Sequence, residues 1–191
     1  MNNIMIVGVG GQGTLLTSRV LGNALLSHGF DVKISEVHGM SQRGGSVVTY
    51  VRFGEEVASP VISKGEADII LAFEELEAAR WLPYLKKGGR MIVNTQKLDP
   101  MPVIIGAAEY PEKLIEKIAA KSVDILPVDA LKTALQAGNA KAVNIVLVGI
   151  LSTLLNLEES VWLETIKATV PEKFLNINLT AFALGRAIER N

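Results

Sequence analysis

The stretch that decides the fold is Ile4-Met5-Ile6-Val7-Gly8-Val9-Gly10-Gly11-Gln12-Gly13. It opens with a short, continuous apolar run, which is typical of a buried strand. From Gln12 to Ser27 apolar residues recur at helical spacing, and Gly29 is placed to end that helix. The stretch therefore predicts a strand, a tight glycine-rich turn and a helix in immediate succession.

Three glycines of this turn, Gly8, Gly10 and Gly13, fit the pattern G-x-G-x-x-G. Such glycines allow positive φ and close backbone approach, and they aim free N–H groups at an anion. Glu36 lies near the end of the next predicted strand, where the ribose-binding acid of a dinucleotide site is found. The motif alone leaves three interpretations open: dinucleotide binding, contact with another anion or a partner, and strand–helix packing.

Strand and helix signals alternate along the rest of the chain. Residues 46–53 alternate in polarity, which predicts a strand that is antiparallel or at an edge. Glu74, Glu75 and Glu77 are followed by Lys86-Lys87 and then by Gly88. This charge order complements a helix dipole and predicts a helix that begins near Glu74 and ends before Gly88. The other predicted strands are 31–37, 67–73, 90–94, 103–106 and 123–128, and the other helices are 111–120, 130–136, 142–155, 160–169 and 179–189. This order predicts a single α/β domain over residues 1–191, with three α/β/α layers, a mostly parallel sheet and a helical C-terminal third.

Composition excludes several classes of protein. Of the 191 residues 49% are hydrophobic and only 5% aromatic, a palette suited to parallel strands covered on both faces. A net charge of −1 gives no electrostatic case for nucleic acid or an anionic membrane. With no cysteine, the chain supplies no ligands for an iron–sulfur cluster or a zinc–thiolate site. The longest apolar stretch is too short to span a membrane, and the N-terminus lacks a signal-peptide pattern. We expect a soluble, cytoplasmic protein.

The most unusual segment is the polar loop from Ser35 to Gly45. It follows a strand, so it is expected at the carboxyl edge of the sheet, where ligands of open α/β sheets usually bind. Arg43 is able to bind a carboxylate or phosphate, and Gln42 and Ser41 offer neutral donors. A solvated connecting loop is the alternative. The candidate contact residues are Glu36, His38, Gly39, Met40, Ser41, Gln42, Arg43, Gly44 and Gly45.

The same loop contains the residue types of a hydrolytic triad, namely Ser41, His38 and Glu36. No G-x-S-x-G elbow surrounds the serine, and residues so close in one loop rarely reach triad geometry. The two histidines, His28 and His38, are too few and too far apart to indicate a metal site. We therefore assign no catalytic residue and no metal ligand.

Taken together, GVGGQG from Gly8 and SEVHGMSQRGGSVVTYVRFG from Ser35 closely resemble the gamma-type module of the 2-oxoacid:ferredoxin oxidoreductases. The resemblance is greatest to the beta subunit of the indolepyruvate type. It extends through 67–70 and the strand after Gly89. It continues at Asn144 and Gly149 and ends in a pattern formed by Asn178, Ala181, Phe182 and Gly185.

The resemblance implies a small, non-redox subunit of a complex that oxidatively decarboxylates an arylpyruvate with coenzyme A. The products are an aryl-acetyl-CoA, carbon dioxide and reduced ferredoxin. Thiamine diphosphate, Mg²⁺ and [4Fe-4S] clusters are expected on a large alpha subunit, and no cofactor is expected on this chain alone. The chain indeed lacks the G-D-G…N-N signature of thiamine enzymes. The isolated chain is expected to be inactive. It is expected to function within a hetero-oligomer.

Two groups of residues are then expected to contact coenzyme A, a cofactor or the partner. One is the loop described above, and the other is the turn, with Gly8, Gly10, Gly11, Gln12 and Gly13. The alternatives are a pyruvate- or 2-oxoglutarate-type complex, an NAD(P)-binding Rossmann-type oxidoreductase, and a free-standing anion- or CoA-binding module.

Overall fold

The structure is a computed structural model that describes residues 2–38 and 44–189. Its strands are β1 (Asn2–Val9), β2 (Asp31–His38), β3 (Ser46–Gly54), β4 (Ala67–Ala72), β5 (Leu85–Asn94) and β6 (Asp124–Val128). Its helices are α1 (Thr14–Ser27), α2 (Glu75–Trp81), α3 (Met101–Ile104), α4 (Leu114–Ala119), α5 (Ala130–Gln136), α6 (Val143–Ser152), α7 (Glu159–Thr169) and α8 (Leu175–Arg186). Short 3₁₀ turns occur at Leu82–Tyr84, Ala140–Ala142 and Glu172–Phe174.

The six strands form one sheet in the order β2-β3-β1-β4-β5-β6. β1 pairs in parallel with β4, β4 with β5, and β5 with β6. β3 is antiparallel to both of its neighbours, β1 and β2. The mostly parallel sheet is thus confirmed. Of the two alternatives for residues 46–53, the antiparallel strand is right and the edge position is wrong, because β2 forms that edge.

Apolar side chains of β1 alternate between two cores, one on each face of the sheet. Ile4 and Ile6 belong to the cluster that α1 and the C-terminal helices cover. Met5 and Val7 belong to the cluster that includes residues of α2 and α4. The continuous apolar run therefore serves both faces at once, as expected for a central strand of a three-layer α/β fold.

Close contact between α6 and α8 holds the helical C-terminal region together. A Cβ added at Gly185 would lie 2.2 Å from the Val146 carbonyl oxygen, and one at Gly149 would lie 2.4 Å from that of Phe182. Only glycine fits at both positions, so the two helix backbones touch where these residues cross. Trp162 of α7 is fully buried beside this pair.

The helix predicted from residue 74 to Lys87 is wrong in its second half. α2 ends at Trp81, and β5 already begins at Leu85. Gly88, with φ 79°, lies in an irregularity where the pairing of β4 with β5 shifts register. Lys86 pairs with Asp68 on β4 at 2.8 Å instead of lying at a helix end. Cross-strand pairing thus overrides the charge order that favoured a helix.

The strand predicted at residues 103–106 is also wrong, because this stretch carries the short helix α3. Pro100 precedes the helix and Pro102 lies in its first turn, a position that suits the fixed φ of proline. The position beside β5 in the sheet is taken by β6. The apolar run consequently has no strand partner and is left outside the sheet.

Other boundaries differ by a few residues. α4 begins at Leu114, after Lys113 with φ 54°, and α8 begins at Leu175, before its predicted start. Gly29, with φ 91°, follows α1 as predicted. Among residues 2–38 and 44–189, the helices all lack the length and apolar character needed to cross a membrane.

Candidate functional site

The glycine-rich turn needs its glycines for two different reasons. Gly11 and Gly13 have φ values of 102° and 87°, which side-chain-bearing residues rarely adopt. A Cβ on Gly8 would lie 2.9 Å from Gln12 Oε1, and one on Gly13 would lie 2.8 Å from Asn144 Nδ2. The turn is therefore both conformationally special and tightly packed against α6.

The Gln12 side chain folds back into the protein. Its Oε1 accepts a hydrogen bond from the Val9 N–H at 2.8 Å, and its Nε2 donates to the Phe73 carbonyl at 3.0 Å and to Gln96 Oε1 at 3.3 Å. These bonds join the carboxyl ends of β1, β4 and β5. Gln12 thus holds the shape of the turn with an amide whose two N–H groups are already bonded.

Asn94 extends this network, and the sequence analysis did not single it out. It is buried at the end of β5, donates to the Phe73 carbonyl at 3.1 Å and accepts from the Ala130 N–H at 3.1 Å. The available signal was an amide residue that ends an apolar strand run. Asn94 fixes the start of α5 relative to the turn.

The start of β3 meets the turn directly. The Gly10 N–H donates to the Gly45 carbonyl at 2.9 Å, and Gly44 has φ 78°. The structure thus brings together the turn, Gly44 and Gly45, with Glu36 of β2 close by. Of the other candidates, His38 ends β2, whereas Gly39, Met40, Ser41, Gln42 and Arg43 lie outside the described residues.

Two pockets flank the turn. The first, of about 450 Å³, is lined by turn residues with Thr14, Leu15, Glu36 and Val47. The second, of about 730 Å³, is lined by turn residues together with Gln96, Leu98, Leu131, Ala140, Lys141, Val143 and Asn144. Both open at the carboxyl edge of the sheet, where ligands of open α/β sheets bind.

Charge distinguishes the two pockets. α1 begins at Thr14, and Gly13 before it offers no side-chain cap, so the first N–H groups of α1 present the positive end of the helix dipole. The first pocket also contains the Glu36 carboxylate, which would repel an anion. This carboxylate accepts a hydrogen bond from Thr49 Oγ1 at 3.4 Å. Gly13, at the positive end of the helix, also lines the second pocket, where Lys141 adds a positive charge and none of the described lining residues is acidic. The second pocket is therefore the better place for an anionic group.

Buried carboxylates on α2 support the site from the face of the sheet opposite to α1. Glu77 accepts hydrogen bonds from the Ser46 hydroxyl, from Trp81 Nε1 at 3.2 Å and from Arg80 Nε at 3.0 Å. Since Ser46 starts β3, Glu77 holds the same strand end that Gly10 holds through Gly45. The acidic cluster predicted to complement a helix dipole therefore also anchors the site.

Glu74 caps α2 and also binds the Leu98 backbone and the Tyr110 side chain. Its carboxylate accepts from the Glu77 N–H at 2.9 Å, from the Leu98 N–H at 3.2 Å and from the Tyr110 hydroxyl. Burial, together with the hydrogen bond to Glu74, raises the pKa of Tyr110 far above its ordinary value. Within the described part of the chain, acidic and histidine side chains form no group of three suited to a metal.

Fold and candidate site together define a doubly wound α/β module with two pockets at the carboxyl edge of its sheet. The family model of pyruvate ferredoxin/flavodoxin oxidoreductase matches residues 3–188. The chain belongs to this family.

Three comparisons with known proteins show which members of the family the chain resembles. Indolepyruvate oxidoreductase subunit IorB of Thermococcus kodakarensis is 44% identical over 190 residues, 96% of this chain and 93% of the relative. The pyruvate/ketoisovalerate oxidoreductases common subunit gamma of the same organism is 26% identical over 91% of this chain and 87% of its own length. The solved structure of a 2-oxoglutarate:ferredoxin oxidoreductase from Magnetococcus marinus, with 2-oxoglutarate, coenzyme A and succinyl-CoA bound, shares the fold. Its TM-score is 0.73 at 23% identity, over 100% of this chain and 32% of that one.

These relatives confirm the resemblance drawn from the two sequence motifs. The chain is a subunit of an oxidoreductase of the 2-oxoacid:ferredoxin class.

Proposed function

We propose that the chain is the small subunit of an indolepyruvate:ferredoxin oxidoreductase. The complex would convert an arylpyruvate and coenzyme A into an aryl-acetyl-CoA, carbon dioxide and reduced ferredoxin. One observation carries the choice of substrate. The chain is 44% identical to the indolepyruvate-type subunit of Thermococcus kodakarensis but 26% identical to the pyruvate/ketoisovalerate-type subunit of that organism.

The redox chemistry belongs to a partner in this proposal. The chain has no cysteine with which to hold an iron–sulfur cluster. Thiamine diphosphate, Mg²⁺ and [4Fe-4S] clusters are assigned to a large alpha subunit, and ferredoxin is reached through the complex. The small subunit then contributes a binding surface to a cytoplasmic hetero-oligomer.

Within that surface, we assign the second pocket to the phosphate-bearing part of coenzyme A. Support comes from Gly11 and Gly13 at the positive end of α1 and from Lys141, which line the same space. The first pocket, with its Glu36 carboxylate, and the residue 39–45 loop are assigned to contact with the partner or with uncharged parts of the ligand.

The dinucleotide interpretation is less well supported. In a Rossmann site the acidic residue ends the strand next to the glycine-rich strand. Here β3 lies between β1 and β2, so Glu36 is on the second strand away from the turn. Titration of the purified chain with NADH and NADPH tests this alternative, and saturable binding at micromolar cofactor would revive it.

Reconstitution with the candidate large subunit tests the proposal. We expect reduction of a low-potential acceptor that depends on indolepyruvate, on coenzyme A and on the small subunit. Lys141→Gln is expected to raise the KM for coenzyme A with little change in kcat, whereas Lys132→Gln on α5, outside the second pocket, is the matched control. Full activity of the large subunit alone, or equal effects of the two variants, would contradict the proposal.

A further inference from the structure

Residues 100–108, which include the short helix α3, follow β5 at the carboxyl edge of the sheet, and we call them the apolar loop. Both of its ends are tied to one buried carboxylate oxygen. Glu74 Oε1 accepts from the Leu98 N–H just before the loop at 3.2 Å, and from the Tyr110 hydroxyl just after it. The Tyr110 oxygen in turn accepts from the Leu76 N–H at 3.2 Å.

The apolar loop is ordered by its own backbone. The Pro102 carbonyl accepts from the Ala107 and Ala108 N–H groups at 2.8 and 3.1 Å. The Ile105 N–H donates to the Met101 carbonyl at 3.0 Å, and Gly106, with φ 73°, turns the chain back. The loop therefore holds one shape without packing its side chains into the core, so little conformational entropy remains to be lost on docking.

Its exposed side chains are apolar. Met101, Ile104 and Ile105 are 64%, 66% and 69% exposed, the highest values among the large apolar side chains of the described residues. No charged residue occurs from Pro100 to Ala108. A contiguous, uncharged and preorganised apolar surface of this kind is typical of a protein–protein contact.

The apolar loop adjoins the candidate site. Gln96 and Leu98, which lead into it, line the second pocket, and Gln96 is hydrogen-bonded to Gln12 of the turn. A protein seated on the apolar loop therefore lies at the rim of that pocket. This continuity favours the protein that completes the site over one that binds elsewhere.

We propose that the apolar loop is a permanent docking element for the large subunit of the complex, which receives it in an apolar hollow. The identity of this partner rests on the proposed function. Permanent interfaces are apolar and resemble a domain core, whereas brief encounters with electron carriers bury little area. A loop without charges fits the first kind of contact and offers little electrostatic steering for the second.

Binding of the full-length chain to the large subunit, measured without substrate, tests this inference. The variant is Ile104→Lys/Ile105→Lys, which places two charges in the apolar loop. The matched control is Leu26→Lys/Val61→Lys, which changes two apolar residues of comparable exposure, 55% and 57%, elsewhere on the surface. We expect a Kd at least about tenfold higher for the loop variant, near-native affinity for the control and an unchanged melting temperature for both.

Several results would overturn the inference. Native affinity of the loop variant would do so, as would an equal loss in the control. Self-association of the wild-type chain that the loop variant abolishes would assign the surface to a second copy. Normal assembly with a raised KM for ferredoxin would assign it to the electron carrier. If the assembled wild-type complex fails to oxidise indolepyruvate, the proposed function fails while the docking result still stands.

Discussion

Replacement of Gly13 by alanine separates conformational strain from close packing at the turn. At φ 87° an alanine costs about 1–2 kcal/mol, because its Cβ crowds the backbone in the left-handed region. The same Cβ would lie 2.8 Å from Asn144 Nδ2, 3.4 Å from its Cγ and 3.5 Å from its Cβ. Asn144 is buried, so its amide has little room to move aside, and such an overlap adds about 1–3 kcal/mol. We expect Gly13→Ala to lower the free energy of unfolding by about 2–5 kcal/mol.

Gly11→Ala is the matched control within the same turn. Gly11 has φ 102°, but a Cβ there meets no atom within 4 Å. Its substitution should therefore show the backbone cost alone, about 1–2 kcal/mol. Urea unfolding of the purified variants, followed by circular dichroism, measures both values.

A double-mutant cycle makes the argument specific. Asn144→Ala removes the amide that the new Cβ would meet, so Gly13→Ala in that background should cost no more than Gly11→Ala. We expect a coupling energy of about 1–3 kcal/mol between positions 13 and 144. Equal costs for the two glycine variants, or additive effects of Gly13→Ala and Asn144→Ala, would refute the packing argument.

Three further predictions concern other parts of the chain. Gly185→Ala should destabilise the protein by at least about 2 kcal/mol in thermal unfolding, because its Cβ would meet the Val146 carbonyl oxygen at 2.2 Å and force α6 and α8 apart; an unchanged melting temperature would contradict this. Tyr110→Phe should cost about 1–3 kcal/mol in free energy of unfolding, because the buried Glu74 carboxylate loses a hydrogen-bond donor. The difference absorbance at 295 nm should also show that the wild-type Tyr110 resists ionisation in mild alkali, and early ionisation would contradict the hydrogen bond to Glu74. Burial raises the pKa of the Glu75 carboxyl, and the charge of Lys97 offsets only part of this rise. The folded state therefore binds the proton more tightly than the unfolded chain does, and it loses stability as the pH rises above the ordinary pKa of glutamate. Glu75→Gln should therefore raise the melting temperature near pH 7 and lose that advantage near pH 4, and a gain confined to acid would reverse the sign.

Local patterns were sufficient to predict most of the parallel part of the fold. The apolar run 4–7, the turn and the helix after it have signals that lie within a few adjacent residues. The helix over Ala130–Gln136 matches its predicted range, and the C-terminal helices differ mainly in their ends. In each case the local preference and the tertiary environment agree.

The errors lie where distant residues decide the structure. Lys86 and Lys87 fit a helix end by charge, but Leu85 pairs with Ala67 of β4, so this segment is drawn into the sheet. The run after Met101 has strand composition but no free position beside β5. Neither pairing can be read from the residues of the segment itself.

The candidate site was predictable in its glycines but not in its support. The spacing of Gly8, Gly10 and Gly13 marks the turn directly. Gln12 is predicted to contact coenzyme A, a cofactor or the partner, and this stays a prediction; the structure adds that its amide bonds to Val9, Phe73 and Gln96. The partners of such a side chain come from strands far apart in sequence, so only the folded chain reveals them.

The position of β3 has a consequence for how the two pockets depend on the sheet. β2 joins the sheet only through β3, and β3 joins the parallel strands only through β1, so any event that detaches β3 from β1 detaches both strands. That event breaks the bond from the Gly10 N–H to the Gly45 carbonyl and removes Glu36 and Val47 from the first pocket together. Apart from the turn, the second pocket is lined by residues that follow β5 and by residues from α5 to α6, so it keeps most of its lining in the same event. Amide hydrogen exchange at Gly10 should therefore follow the exchange of β3 rather than that of β4, and the two pockets should differ in lifetime as well as in charge.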